Sequence, residues 1–189
     1  MTDLGFENFY KIASSRRSNI NIDSERKIDR VTLERLCDLI HLAPNHRRTW
    51  PWRVAVFEGE SRGRLGSCIS DVMKENGVDA GRAEKARTKY LRAPVIIVVG
   101  AGSGANDLET LENKDAVAAG VQNLLLGATS LSMATLWSSC ESLAMSAVKQ
   151  ICGFSEDVSV SGIIYLGWPS REVPVPQRPP LDVKYFDKP

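Results

Sequence analysis

Residues 116–137, AVAAGVQNLLLGATSLSMATLW, contain no charged side chain. A helix built from them is apolar on nearly every side, so it needs cover on nearly every side. Crossing a membrane takes about 20 consecutive apolar residues. Here Gln122, Asn123, Thr129, Ser130 and Ser132 interrupt the run, and no basic cluster follows it. The segment therefore reads as the central helix of a soluble core, or of an interface between two copies of the chain.

The other elements arrange themselves around it. Leu4, Phe6, Phe9, Tyr10, Ile12 and Ala13 have helical spacing. A second helix is expected from Thr32 as N-cap to Pro44, with Leu33, Leu36, Cys37 and Ile40 on its apolar face. RVAVFEG, residues 53–59, suggests a strand, 60–74 a helix and 79–92 a basic helical stretch. VIIVVGAG, from residue 95, is a β-branched run typical of a buried strand. NDLETLENK reads as a charged loop before the central helix, taken as Asp115 to Met133. A short extended segment (134–140), a helix closed by Gly153 and a final strand (158–169) follow. This order predicts an α+β three-layer sandwich, a mixed central sheet flanked by helices. Residues 1–169 form one domain. The proline-rich tail, 170–189, reads either as disordered or as an extended arm laid over a partner subunit; Leu181, Val183, Tyr185 and Phe186 favour the arm, since a solvated tail gains nothing from them.

Gly100, Gly102 and Ala105 fit the G-x-G-x-x-A pattern of a dinucleotide-binding turn. The pattern needs a helix directly after the glycines and a second strand ending in an acidic residue about 20 residues on. The sequence here offers a charged loop and the central helix instead, so the glycines read as a loop after a buried strand.

Composition narrows the function classes. The formal net charge is +1, which gives no bias toward nucleic acid or a membrane surface. Cys37, Cys68, Cys140 and Cys152 have no metal-ligand spacing and read as reduced, packed thiols. With only His41 and His46, a histidine metal site is not expected. The N-terminal residues lack the basic-then-apolar order of a signal peptide, so a cytoplasmic location is expected.

Three clusters carry chemistry. Arg16, Arg17 and Ser18 follow the first helix and suit a phosphate, since guanidinium groups bind phosphate bidentately. A solvated surface turn explains the same residues. APNHRRTWPW, residues 43–52, gathers His46, Arg47, Arg48, Trp50 and Trp52 between prolines that bar a helix. Trp137, Ser138 and Ser139 lie where the chain leaves the core. Arg178 is a further cation in the tail.

Taken in order, RRS, the AP…PW loop, RAPVIIVV, DAVAAGVQNLLLGA and GIIYLGWP…RPPL resemble the FMN-dependent nitroreductase family over nearly the whole chain. They are most similar to the small subgroup whose loop reads A-P-(Asn or Asp)-His followed by Pro-Trp. The resemblance implies a homodimer that completes the domain, with FMN at the interface. It implies hydride transfer from NADH or NADPH to flavin N5, then reduction of a nitroaromatic, quinone or similar acceptor in ping-pong order; the alternative is a flavin-binding protein of the same fold with another role, a flavin-consuming or dehalogenating reaction or a non-catalytic one. It assigns Arg16, Arg17 and Ser18 to the flavin-binding turn, His46 to a loop reaching the partner's flavin, Trp137, Ser138 and Ser139 to the ring, and Arg178 to the phosphate. The flavin carries the chemistry, so no catalytic acid or base is assigned. Arg47, Arg48 and Trp50 are candidates for the substrate face, as phosphate ligands and a stacking surface; solvated arginines and hydrophobic plugs are the alternative, and Trp52 reads as a plug. Asn45, Arg48 and Trp50 replace the Ser, Asn and Gln of the wider family's loop, and Ile20 stands at a usual Lys or Arg position.

Overall fold

The computed structural model describes residues 3–186. Four of the helices begin where a short side chain, Asp or Asn, accepts from an exposed backbone N–H group. Asp3 accepts from Gly5 N ahead of α1 (Leu4–Ser15), and Asp29 from Thr32 N ahead of α2 (Arg30–His41). The expected start of α2 at Thr32 is thus three residues late: Asp29 is the cap and Thr32 its donor. Strand β1 (Ile22–Asp23) lies between these helices and has too few residues to carry a pattern. After β2 (Trp52–Glu58), α3 (Ser61–Glu75) and α4 (Ala80–Thr88) cover one face, and a 3-10 turn over Lys89–Arg92 leads into β3 (Val95–Gly102).

The largest departure concerns α5 (Asp107–Ser130). The segment read as a charged loop forms its first two turns. Asn106 accepts from Glu109 N, and Asp107 and Glu109 place negative charge at the positive end of the helix. A helix therefore does follow the glycines, which removes one argument against a dinucleotide fold. A stronger one replaces it: β3 is antiparallel to both of its neighbours, whereas the dinucleotide fold needs a parallel pair.

After β4 (Ala134–Ser138) and α6 (Met145–Ile151), β5 (Val158–Pro169) completes the sheet. Gly153 has φ of 67° at the end of α6, the left-handed conformation that glycine adopts without strain. The sheet order is β1-β5-β3-β2, with β4 also paired to β5. All ladders are antiparallel, and the mixed character rests on one parallel bridge, Ser18 to Thr135.

Alternation along β3 divides the core in two. Ile96 and Val98 join Leu65, Ile69, Met73 and Tyr90 on one face. Val95, Ile97 and Val99 join Leu36, Ile40, Val117, Val121 and Leu124 on the other. Helices thus cover both faces, as the three-layer expectation requires. Along α5 the buried positions recur as Asn113, Ala116, Val117, Gly120, Val121, Leu124, Leu125 and Ala128, one helical stripe. Within one chain α5 is therefore covered on one side, not all round. At Gly120 the α2 backbone comes so close that a Cβ would overlap the Ile40 carbonyl. Residues 171–186 have no regular structure.

Candidate functional site

The N-terminal cluster forms where α1 ends. Arg16 terminates the helix, and the chain then runs beside β4, with Ser18 bridged to Thr135 and Asn19 N donating to Thr135 O at 2.8 Å. This pairing puts Arg16, Arg17 and Ser18 beside the strand that ends in Trp137, Ser138 and Ser139. Two of the three clusters expected from the sequence thus meet on one edge of the sheet. Arg178 joins them from the tail, donating to Ser14 O at 3.0 Å and Arg16 O at 2.7 Å. It caps its own chain's α1, where a cation offsets the negative end of the helix.

The guanidinium groups here are not equivalent. Arg17 pairs with Glu172 and donates to Ser15 O at 3.2 Å, while its Nε is buried without a hydrogen-bond partner. Arg16 is half-buried, and its side chain has no ion pair or hydrogen bond among the described residues. Ser15, Arg17, Asn19, Thr129, Ser132 and Glu172 line part of a cavity of about 180 Å³ beside the turn. Trp137 is 39% exposed and lies over Gly162, where any Cβ would overlap the indole nitrogen. Ser139 is exposed, and Ser138 donates to its carbonyl at 3.2 Å.

The loop after α2 is built differently. Arg47, Arg48 and Trp50 all have left-handed φ, at 59°, 56° and 52°. Such values are uncommon outside glycine and persist only where the surroundings impose them. Asn45 imposes them from one side: its Oδ1 accepts from Trp50 N at 2.9 Å and its Nδ2 donates to Thr49 Oγ1 at 3.1 Å. Thr49 Oγ1 in turn lies 2.5 Å from Asn113 Oδ1, and Asn113 Nδ2 donates to Gly102 O at 3.0 Å. Asn113 is 1% exposed, so this chain of bonds ties the loop to the protein interior. His46 Nδ1 stands 2.9 Å from Glu112 Oε1, and Arg47 Nη1 is 3.6 Å from Glu109 Oε2. Arg48 projects into solvent. Trp52 packs on the core and donates from Nε1 to Ala116 O at 3.2 Å, as expected of a plug. Trp50 is 58% exposed, with its ring 6.0 Å from that of Trp52. The sequence marks Asn45 only as a departure from the family's loop and does not single out Asn113; no local pattern distinguishes a buried asparagine on a helix from a solvated one.

The two halves do not meet within one chain. Glu112 touches the His46 loop, whereas Thr129 lines the Arg17 cavity. Seventeen residues of α5 separate them, roughly 25 Å at 1.5 Å per residue.

The cysteines stay outside this site. All four are free and partly buried. Burial pushes the Cys37 and Cys140 thiols up to about 11 and Cys152 to about 12, so they remain protonated near neutrality.

The Nitroreductase family model matches residues 13–168, and the chain belongs to that family. It is accordingly an oxidoreductase. The Escherichia coli K12 protein named "Putative NAD(P)H nitroreductase YdjA" is 30% identical over 149 residues, covering 76% of this chain and 81% of its own length. A nitroreductase-like family protein from Bacillus cereus superposes with a TM-score of 0.79 at 20% identity, over 93% of this chain and 95% of the other. A variant of NfnB from Sphigopyxis sp. strain HMH, an FMN and NADPH-dependent nitroreductase, gives 0.75 at 17% identity, over 94% and 99%. These structural likenesses concern the fold. No helix among the described residues is long and apolar enough to cross a membrane.

Proposed function

We propose that the protein is an FMN-dependent NAD(P)H oxidoreductase that acts as a homodimer on small planar acceptors such as nitroaromatics or quinones. The observation that carries this reading is the Ser18–Thr135 bridge, which joins the phosphate-type turn to the Trp137–Ser139 segment. The orphaned Arg17 Nε leaves a buried donor unsatisfied, and Arg16, half-buried with no side-chain partner among the described residues, offers a free guanidinium; both fit an anionic, hydrogen-bonding cofactor. Arg16 and Ser18 would hold the phosphate, with Arg17 beside them. Arg178 would hold the turn in shape through its two carbonyl contacts. Ser138 and Ser139 would leave backbone accessible to the ring, and Trp137 would shield it from water. FMN, when bound, supplies hydride and electron transfer from the nicotinamide donor to the acceptor in alternation.

The homodimer reading rests on two observations. The half-sites lie at opposite ends of α5, so a two-fold partner would bring the His46 loop of one chain to the Arg16 turn of the other. In addition, α1 exposes Leu4, Phe6, Phe9 and Tyr10, and the tail exposes Leu181, Val183, Tyr185 and Phe186, large apolar side chains that a partner subunit would cover. The C-terminal arm, 170–189, would help cover the partner; its last three residues lie outside those described.

Absorbance spectroscopy tests the reading. Purified protein should be yellow, release FMN on denaturation, and bleach anaerobically with NADH or NADPH. A colourless protein that FMN does not reconstitute overturns it.

A further inference from the structure

The basic stretch 79–92 has no role in the site described above. Arg82, Lys85, Lys89 and Arg92 follow the spacing i, i+3, i+7, i+10, which places them on one helical face. With Met73, Ala86 and Glu141 they line a groove of about 220 Å³. Among the described residues that line the groove, Glu141 is the single carboxylate. The other acids nearby are engaged elsewhere: Glu84 with Arg87 at 3.5 Å, Asp71 with Arg87 at 2.5 Å, and Asp79 capping α4 through Arg82 N. Among the described residues, none of the four cationic groups has an ion pair or a side-chain hydrogen bond. Lys89 is held instead over the Tyr90 ring, 5.0 Å from its centroid. Tyr90 is buried and stacks on Tyr165 at 5.8 Å.

Like charges three and four residues apart repel. The negative end of α4 compensates Lys85 and Lys89, but it does nothing for Arg82 in the first turn. An anion in the groove would offset this imbalance. Its location narrows the choice: Glu141 follows Ser139 by two residues, so the groove opens beside the segment proposed to carry the flavin ring, and not on it.

We propose that this groove binds the 2′-phosphate of NADPH and makes the protein prefer NADPH over NADH. The inference rests on the oxidoreductase reading above, because it concerns the donor of that same reaction. A dinucleotide suits the layout, since its reacting ring and its ribose phosphate lie at opposite ends of one molecule. Arg82 and Arg92 provide planar bidentate donors for the phosphate, and Lys85 and Lys89 add point charges. The 2′-phosphate is the group that distinguishes the two donors, so the groove contributes to affinity for one of them.

Two measurements on the full-length protein test this. In calorimetry, 2′,5′-ADP should bind, 5′-ADP should bind at least tenfold more weakly, and Arg82→Gln/Lys85→Gln should weaken 2′,5′-ADP at least tenfold. In turnover, the same variant should raise KM for NADPH at least tenfold with kcat for NADPH unchanged and the NADH parameters within twofold. Equal binding of both nucleotides, no binding of 2′,5′-ADP, or equal losses with NADPH and NADH would overturn the proposal. Calorimetry does not depend on flavin: a colourless protein removes the redox reading, while 2′,5′-ADP still reports on the groove.

Discussion

Thr49 Oγ1 lies 2.5 Å from Asn113 Oδ1, so a surface loop is anchored to a side chain that solvent does not reach. Asn113→Ala removes that acceptor and the donor to Gly102 O together. The substitution should cost about 1–3 kcal/mol for the polar groups left unpaired, read as a lower urea midpoint with an unchanged slope. Thr49→Val should cost less, because Asn113 keeps its bond to Gly102. Equal stability of the Asn113→Ala variant and the parent would show that the anchor contributes nothing.

Gly162 and Trp137 form a second such pair. Gly162→Ala should push the indole out of its place and cost about 1–3 kcal/mol as an overpacking change. Tryptophan emission should shift to the red as the ring gains solvent. The double variant with Trp137→Phe should recover part of the loss, since residues in contact are not additive. Additive losses would show that the two side chains do not compete for space.

The raised thiols give a pH prediction. In the folded protein burial makes Cys37, Cys140 and Cys152 bind their protons more tightly than the ordinary thiol does, pushing them up to about 11, 11 and 12. The stability linked to them is therefore fully present below about pH 9 and is lost as the pH climbs through the folded values. At pH 8 a thiol-specific disulfide reagent should label these positions slowly in the native protein and quickly in urea. Rapid native labelling at any of the three would contradict the burial that raises it.

For the turn, Arg16→Ala should weaken FMN retention by about 1.5–3 kcal/mol, the scale of a hydrogen bond to a charged group. Arg178→Ala should act mainly on the arm. Limited proteolysis after Ser170 should speed up, with a smaller effect on flavin. A stronger flavin defect from Arg178 than from Arg16 would reverse their roles.

Periodicity made β3, β5 and the three layers legible, because β-branched runs and amphipathic faces report directly on burial. The start of α5 was not legible in the same way. Asp107, Glu109 and Glu112 look like loop residues, yet Asp107 and Glu109 stabilise a helix N-terminus while Glu109 and Glu112 receive the His46 loop. Pattern reading registers their charge but not the dipole they offset. The site residues were legible as chemistry, through guanidinium groups, hydroxyls and indoles. Their grouping was not, because the Ser18–Thr135 bridge joins positions far apart in the chain. Asn113 and the anchoring role of Asn45 were not legible for a related reason: a hydrogen-bond relay leaves no periodicity.

The length of α5 has a consequence for how lesions combine. If one pocket takes its turn from one subunit and its loop from the other, Arg16→Ala and His46→Ala damage different halves of it. Co-expressed, the two defective chains should form mixed dimers in which one pocket carries both lesions and the other carries neither. Flavin binding and turnover should then recover in a mixture of two polypeptides that each fail alone, which is intragenic complementation. A site contained within one chain would give no such recovery.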